Sequence, residues 1–228
     1  MASLQDTYKS DLLAVALFGS MSRGEDKDYS DVDMIAIVKG EKIADELYGI
    51  RNGLNYGIDI FSQDVVHGKI TTIHSRWPLL VGKFATAKPL IDEQHLFDAY
   101  AQLYKDTIRQ DFKPYIRQVF VEEIYGECNK LISTTHFGTR EQVLYISHRF
   151  FTKMIFFLGV INKTYYLNSA NFPAVAMNLP INFPSLKLLG KSITSDACLS
   201  TSELRSVVQN MLNEIVQYLA SESIEFED

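Results

Sequence analysis

Hydrophobic positions follow two different rhythms along this chain. In the first part they come as short runs: Leu12–Phe18 is apolar throughout and stops at Gly19-Ser20, and a second run follows Asp31-Val32-Asp33 and ends at Val38. Short, partly β-branched runs closed by turn residues predict buried strands. Asn52-Gly53, inside the segment from Glu46 to Phe61, predicts a hairpin, because both central residues of the favoured two-residue turn need positive φ. On the return strand Tyr56, Ile58 and Ile60 share one face, and Asp59 points to the other. Ser62 is the expected cap of a helix over 63–74, which Trp77-Pro78 breaks. Phe84 to Asp92 should be extended, with Pro89 suited to a sheet edge.

From Glu93 the period changes to that of a helix. Leu96, Phe97, Tyr100, Leu103, Tyr104 and Ile108 form one stripe, and after Pro114 the residues Val121, Ile124, Tyr125, Cys128, Leu131 and Ile132 form another, closed by a loop over 134–139. Glu141 to Asn162 is apolar nearly all round, as expected of a bundle centre or a subunit contact. The stretch 171–184 holds three prolines and three asparagines and should be mostly irregular. A short helix near Ser185 and a last one from Ser202 to about Ser221, opened by Ser200 with Glu203 as a capping box, complete the pattern. The expected fold is α+β: a small mixed β-sheet domain with flanking helices over 1–92, then an all-α helical bundle over 93–228.

Composition narrows the function classes. The 228 residues are 46% hydrophobic and 22% charged, enough for folded cores and far from a disordered chain. With a net charge of −6 and no dense run of Lys or Arg, a nucleic-acid partner is disfavoured and a small cationic partner suits better. Cys128 and Cys198 lack metal spacing, so the expectation is a reducing cytoplasm without disulfides or zinc. The N-terminus carries no basic region followed by an apolar stretch, and the longest apolar stretch, Met154 to Ile161, is short of the about 20 residues a bilayer requires. A soluble protein with no membrane partner is expected. His67 and His74, seven apart, read as surface or packing residues on the predicted helix.

The candidate chemistry lies between the first two strands. A Gly-Ser turn opening a short helix capped by Ser20 presents unpaired backbone N–H groups, a natural seat for phosphate. Asp31 and Asp33 are two apart and so converge on one face, where two carboxylates repel unless a hard divalent cation lies between them. Phosphate seat and metal seat on adjacent strands are the equipment for nucleotidyl transfer from a metal-bound triphosphate.

Gly19-Ser20, ten intervening residues and then Asp31-x-Asp33 resembles the signature of the polymerase-β-like nucleotidyltransferase superfamily, with Arg23 and Ser30 where antibiotic-modifying members carry them. The resemblance implies nucleotide binding by Gly19, Ser20, Arg23 and Ser30, and a third carboxylate on a neighbouring strand, for which Asp59 is placed. Asp31, Asp33 and Asp59 are then the metal ligands. The order of domains narrows the likeness to the kanamycin (aminoglycoside) nucleotidyltransferase family, with Trp77-Pro78-Leu79, Val121-Glu122-Glu123, Lys130 and Tyr165-Tyr166-Leu167-Asn168-Ser169 as counterparts in the same order. It implies ATP as co-substrate, Mg2+ and a two-fold homodimer with shared clefts; an aminoglycoside hydroxyl attacks the α-phosphorus and pyrophosphate is released. Gly126 stands where the family has its catalytic glutamate. On the helix itself Glu123, Glu127 and Lys130 share a stripe, so the expected base is Glu127, with Glu123 or Asp59 as alternatives and Lys130 on the triphosphate. Rival readings are another acceptor (a lincosamide, a metabolite or a protein side chain) or a nucleotidyltransferase-like antitoxin or regulatory module. The last usually pairs with a helical ribonuclease-like partner, and Arg140 and His148 are too far apart for that partner's spacing.

Overall fold

The computed structural model describes residues 2–167, 171–194 and 199–226. Cys198 and the Asn168-Ser169 part of the family-like segment lie outside the described residues. Strands β1 (Leu12–Phe18), β2 (Val32–Val38), β3 (Ala44–Arg51), β4 (Leu54–Ser62) and β5 (Lys88–Ile91) form a five-stranded sheet in the order β3-β4-β2-β1-β5. β2 and β4 run parallel and the other neighbours antiparallel, so the sheet is mixed. The hairpin turns at Asn52 and Gly53, both at positive φ (53° and 78°), pairing Arg51 with Leu54. β5, with Pro89, lies at the sheet edge beside β1.

Among the described residues, the α-helices that accompany this half in the sequence are α1 (Ala2–Tyr8), α2 (Gly19–Arg23), α3 (Gln63–Thr71), α4 (Trp77–Leu80), α5 (Gly82–Ala85) and α6 (Leu96–Thr107). One sheet face buries Val15, Ala36, Val38, Ile58 and Ile60 against Leu4 of α1. On the other face Phe61 meets Phe84 of α5, ring centres 5.9 Å apart. α3 stops at Thr71, so His67 and His74 do not share a helical face. Ser62 is its N-cap by backbone geometry, but its hydroxyl donates to Asp64 Oδ1 and accepts from Ile43 N instead of capping the helix.

The chain divides into two compact units, Met1–Ile73 with Leu79–Gln110, and His74–Pro78 with Asp111–Asp228. This differs from a division after residue 92 in two places. α6 packs against α3 and α5, because its stripe residues Phe97 and Tyr100 continue an aromatic stack from Phe84. Trp77 and Pro78 go to the helical unit: Trp77 sits edge-on to Phe112 at 5.7 Å, and the Pro78 carbonyl accepts from Tyr166 N at 2.8 Å. The family-like Trp-Pro and Tyr-Tyr segments are thus brought together.

The helical unit contains α7 (Lys113–Val119), a π-helical turn (Phe120–Tyr125), α8 (Gly126–Phe137), α9 (Arg140–Ile161), α10 (Phe172–Ala176), α11 (Pro184–Thr194) and α12 (Thr201–Ser221). The wider π turn shifts the phase of the helix. Phe120 and Ile124 go inward, while Val121 and Tyr125, expected in the apolar stripe, are 42% and 45% exposed. Cys128 is buried, which pushes its thiol up to about 12. Reciprocal capping boxes, Thr139 with Gln142 and Ser200 with Glu203, open α9 and α12.

α9 is, by length and composition, long enough and apolar enough to cross a bilayer. Its apolar residues are used otherwise: Phe150, Met154, Ile155, Phe157 and Leu158 are fully buried among the neighbouring helices of their own unit. The aromatic stripe that suggested a subunit contact is therefore occupied by the chain itself. Gly159 permits this packing, since a Cβ there would lie 2.6 Å from Pro78 Cβ and Cγ.

Candidate active site

Strand register assembles the site. β1 pairs Phe18 with Asp33, so the turn at Gly19 falls beside the Asp33 carboxylate. Gly19 has φ 71°, and a Cβ on it would collide with Asp33 Oδ2, which makes glycine a requirement of this turn. α2 is one short helix whose N-cap is Phe18, not Ser20; Ser20 is inside its first turn, and Ser22 Oγ donates to the Gly19 carbonyl at 2.9 Å. Arg23 Nε donates to Glu25 Oε2 at 2.8 Å. Ser30 closes the turn before Asp31: its N–H donates to the Lys27 carbonyl and its hydroxyl accepts from Lys27 N, each at 2.9 Å.

The parallel pairing of β2 with β4 puts Asp33 opposite Gly57 and Ile35 opposite Asp59, so Asp33 and Asp59 share a face. The edge strand adds two residues that the sequence reading left unassigned. β3 pairs Glu46 with Asp59 and Tyr48 with Gly57, and Tyr48 Oη donates to Glu46 Oε2 at 2.8 Å. Their alternation on β3 was visible in the sequence, but not which face it joined.

Lys83 of α5 pairs with Asp59 Oδ2, and both side chains are largely buried, 16% and 12% exposed. The Lys83 ammonium also stands 5.1 Å from the Phe61 ring centre and 5.6 Å from those of Phe18 and Phe84. No local sequence signal marked Lys83, since it follows the Trp-Pro break in a stretch with neither strand nor helix period.

Partial burial raises the Asp33 carboxyl above its ordinary value; the charges of Asp31 and then Asp59 raise it further, and Lys83 works against them. The Glu46 hydrogen bond, followed by desolvation and the charges of Glu46, Asp59 and Asp33, raises the Tyr48 phenol. The Asp31–Asp33 pair is a crowded, hard oxygen donor set that fits a divalent cation of the magnesium type, which takes few protein carboxylates and completes its octahedron with water and phosphate oxygens. Among the described residues no group of three or more acidic, His or Cys side chains is arranged as a metal cage. Asp59 faces Lys83.

Glu127 and Lys130 lie on α8 of the helical unit. Arg149 of α9 grips Glu127 bidentately, Nε to Oε2 at 3.0 Å and Nη2 to Oε1 and Oε2 at 2.6 Å each. Lys153 stands 3.7 Å from Glu127 and 3.8 Å from Glu123. Burial pushes the Glu127 carboxyl up, but the Arg149 hydrogen bonds and the charges of Lys153, Arg149 and Lys130 outweigh it and hold the group below the usual range. A carboxylate held so accepts a proton less readily than a free one. At Gly126, no heavy atom outside its own helix backbone and chain neighbours lies within 4 Å of where a Cβ would be.

Residues 3–75 match the family described as nucleotidyltransferase domain, and residues 94–225 match the KNTase C-terminal domain. An aminoglycoside nucleotidyltransferase (4') of Staphylococcus aureus is 25% identical over 125 residues, 55% of this chain and 49% of that protein. A Bacillus protein of the same name matches equally, so the chain spans about half the length of these relatives. A Methanocaldococcus jannaschii protein described as a protein adenylyltransferase is 28% identical over 123 residues, 51% of this chain and 80% of that one. In fold, the chain is similar to a nucleotidyltransferase-like protein of Exiguobacterium sibiricum, with a TM-score of 0.58 at 12% identity, covering 96% of this chain and 73% of that one. With the KNTase C-terminal domain matched over more than half of its length and a nucleotidyltransferase domain ahead of it, the chain belongs to the KNTase family of polymerase-β-like nucleotidyltransferases.

Proposed function

We propose that this nucleotidyltransferase moves the adenylyl group of ATP to a hydroxyl of a small cationic acceptor of the aminoglycoside class. The observation that carries the reading is the face shared by Asp33 and Asp59, with Asp31 close enough to act on Asp33 and the Gly19 turn pressed against the Asp33 carboxylate. The two aminoglycoside-modifying relatives and the net charge of −6 support the acceptor class.

In this reading Asp31 and Asp33 hold magnesium, with Asp59 on the same face. Held there, the cation would supply charge neutralisation to the triphosphate. The Gly19 turn brings backbone close to the phosphates with Ser20, and Arg23 and Ser30 flank them. Lys83 pairs with Asp59 and compensates its charge in a largely buried place. Glu127 positions Arg149, and proton removal falls to a carboxylate of the sheet face.

Incubation of the full chain with ATP, magnesium and kanamycin tests the reading. Pyrophosphate release together with an adenylylated antibiotic, both lost in Asp31→Asn, is the expected result. Absence of product across a panel of aminoglycosides refutes the acceptor class. The relative described as a protein adenylyltransferase favours a second acceptor, a protein hydroxyl, and the same assay with protein substrates reads it.

A further inference from the structure

We propose that Tyr48 is itself a nucleotidyl acceptor, so that the enzyme modifies its own edge strand, with Glu46 receiving the phenolic proton. The inference rests on the nucleotidyltransferase reading above and adds an acceptor to it. Tyr48 and Glu46 are two apart on β3 and therefore project from the same face, opposite Gly57 and Asp59 of β4.

Gly57 makes the approach possible. The place its Cβ would take is 3.1 Å from Tyr48 Cε1 and 4.0 Å from Asp33 Oδ1, so the phenol ring and the metal-seat aspartate meet above one glycine. Any side chain there would push the ring away. Tyr48 is nevertheless 68% exposed, which leaves its hydroxyl open to a triphosphate seated at Asp31 and Asp33. The 2.8 Å hydrogen bond from Tyr48 Oη to Glu46 Oε2 is within the range for direct proton transfer. A nucleophile, its base and the activating carboxylates thus lie along three adjacent strands of one rigid sheet.

The step balances without an added oxidant or reductant. The Tyr48 oxygen forms a bond to the α-phosphorus of a nucleoside triphosphate, and the bond from that phosphorus to the oxygen bridging to the β-phosphate breaks. Pyrophosphate departs, and the phenolic proton passes to Glu46. The product is a tyrosyl phosphodiester of the nucleotide.

The test is intact-protein and peptide mass spectrometry of the full chain after incubation with ATP and magnesium, without any other acceptor. The expected result is one adenylyl group on the peptide containing Tyr48, absent in Tyr48→Phe and in Asp33→Asn, and formed roughly 100-fold more slowly in Glu46→Gln. Tyr48→Phe keeps the exposed ring and removes only the hydroxyl, so its fold is checked simply by circular dichroism. Label that persists in Tyr48→Phe overturns the assignment, and an undiminished rate in Glu46→Gln overturns the role of Glu46. An unlabelled wild-type chain that adenylylates kanamycin refutes self-modification and spares the function. If neither Tyr48 nor any acceptor is labelled, both fall.

Discussion

Replacing Glu127 by Gln separates a base from an anchor. The carboxylate receives three contacts from Arg149 at 2.6–3.0 Å, and the two side chains are 16% and 34% exposed. Hydrogen bonds to charged groups contribute about 1.5–3 kcal/mol each when shielded, and solvent access at Arg149 brings the pair down to about 1–2 kcal/mol in total. For a chain of this size that loss lowers Tm by roughly 2–8 °C. The pH dependence has a definite sign. Because the folded-state pKa of Glu127 is depressed, its contribution is fully present above the unfolded value of about 4.3 and disappears as pH falls through the folded value. The gap in Tm between wild type and Glu127→Gln should therefore be largest near neutrality and close in acid. Turnover of ATP with kanamycin should change by less than about fivefold, whereas loss of a positioned general base costs at least about 100-fold. Thermal melts at several pH values and steady-state kinetics on the same preparations decide the matter. A 100-fold fall in kcat with an unchanged KM for ATP and an unchanged Tm would refute the anchor role and return Glu127 to the chemistry.

Asp33→Asn should abolish transfer and, at pH 7, raise stability by up to about 1 kcal/mol, because it removes a carboxylate whose pKa is raised by burial and by Asp31 and Asp59. The wild-type penalty vanishes as pH falls through that raised value, so the stability difference in urea titrations should shrink toward acid. Lys83→Met leaves the largely buried Asp59 charge uncompensated and should cost about 2 kcal/mol, most of it recovered in the double variant with Asp59→Asn; equal stability of the single and double variants would argue against the pair. The two helix glycines should respond oppositely in denaturant melts. Gly126→Ala meets nothing beyond its own helix backbone and chain neighbours within 4 Å and should stabilise by about 0.5–1 kcal/mol, while Gly159→Ala drives a methyl into Pro78 and should cost about 1–3 kcal/mol.

Local chemistry made much of this protein readable before any coordinates. Strands closed by Gly-Ser and Asn-Gly, the Ser200–Glu203 cap and the Asp31-x-Asp33 spacing are set by residues a few positions apart; β2 begins at Val32, so Asp33 stands on the strand and Asp31 just ahead of it. Long-range pairing decided the rest. Lys83 meets Asp59 across 24 residues and Arg149 meets Glu127 across 22, contacts that carry no sequence period yet determine which carboxylate is neutralised and which is locked. The π turn at Phe120–Tyr125 altered the helix phase that had placed Val121 inward. The aromatic stack from Phe84 drew α6 to the sheet unit. Apolar periodicity reports that a face is buried, but not against what, because any apolar surface of suitable shape satisfies it; the partner is selected only when the whole chain packs.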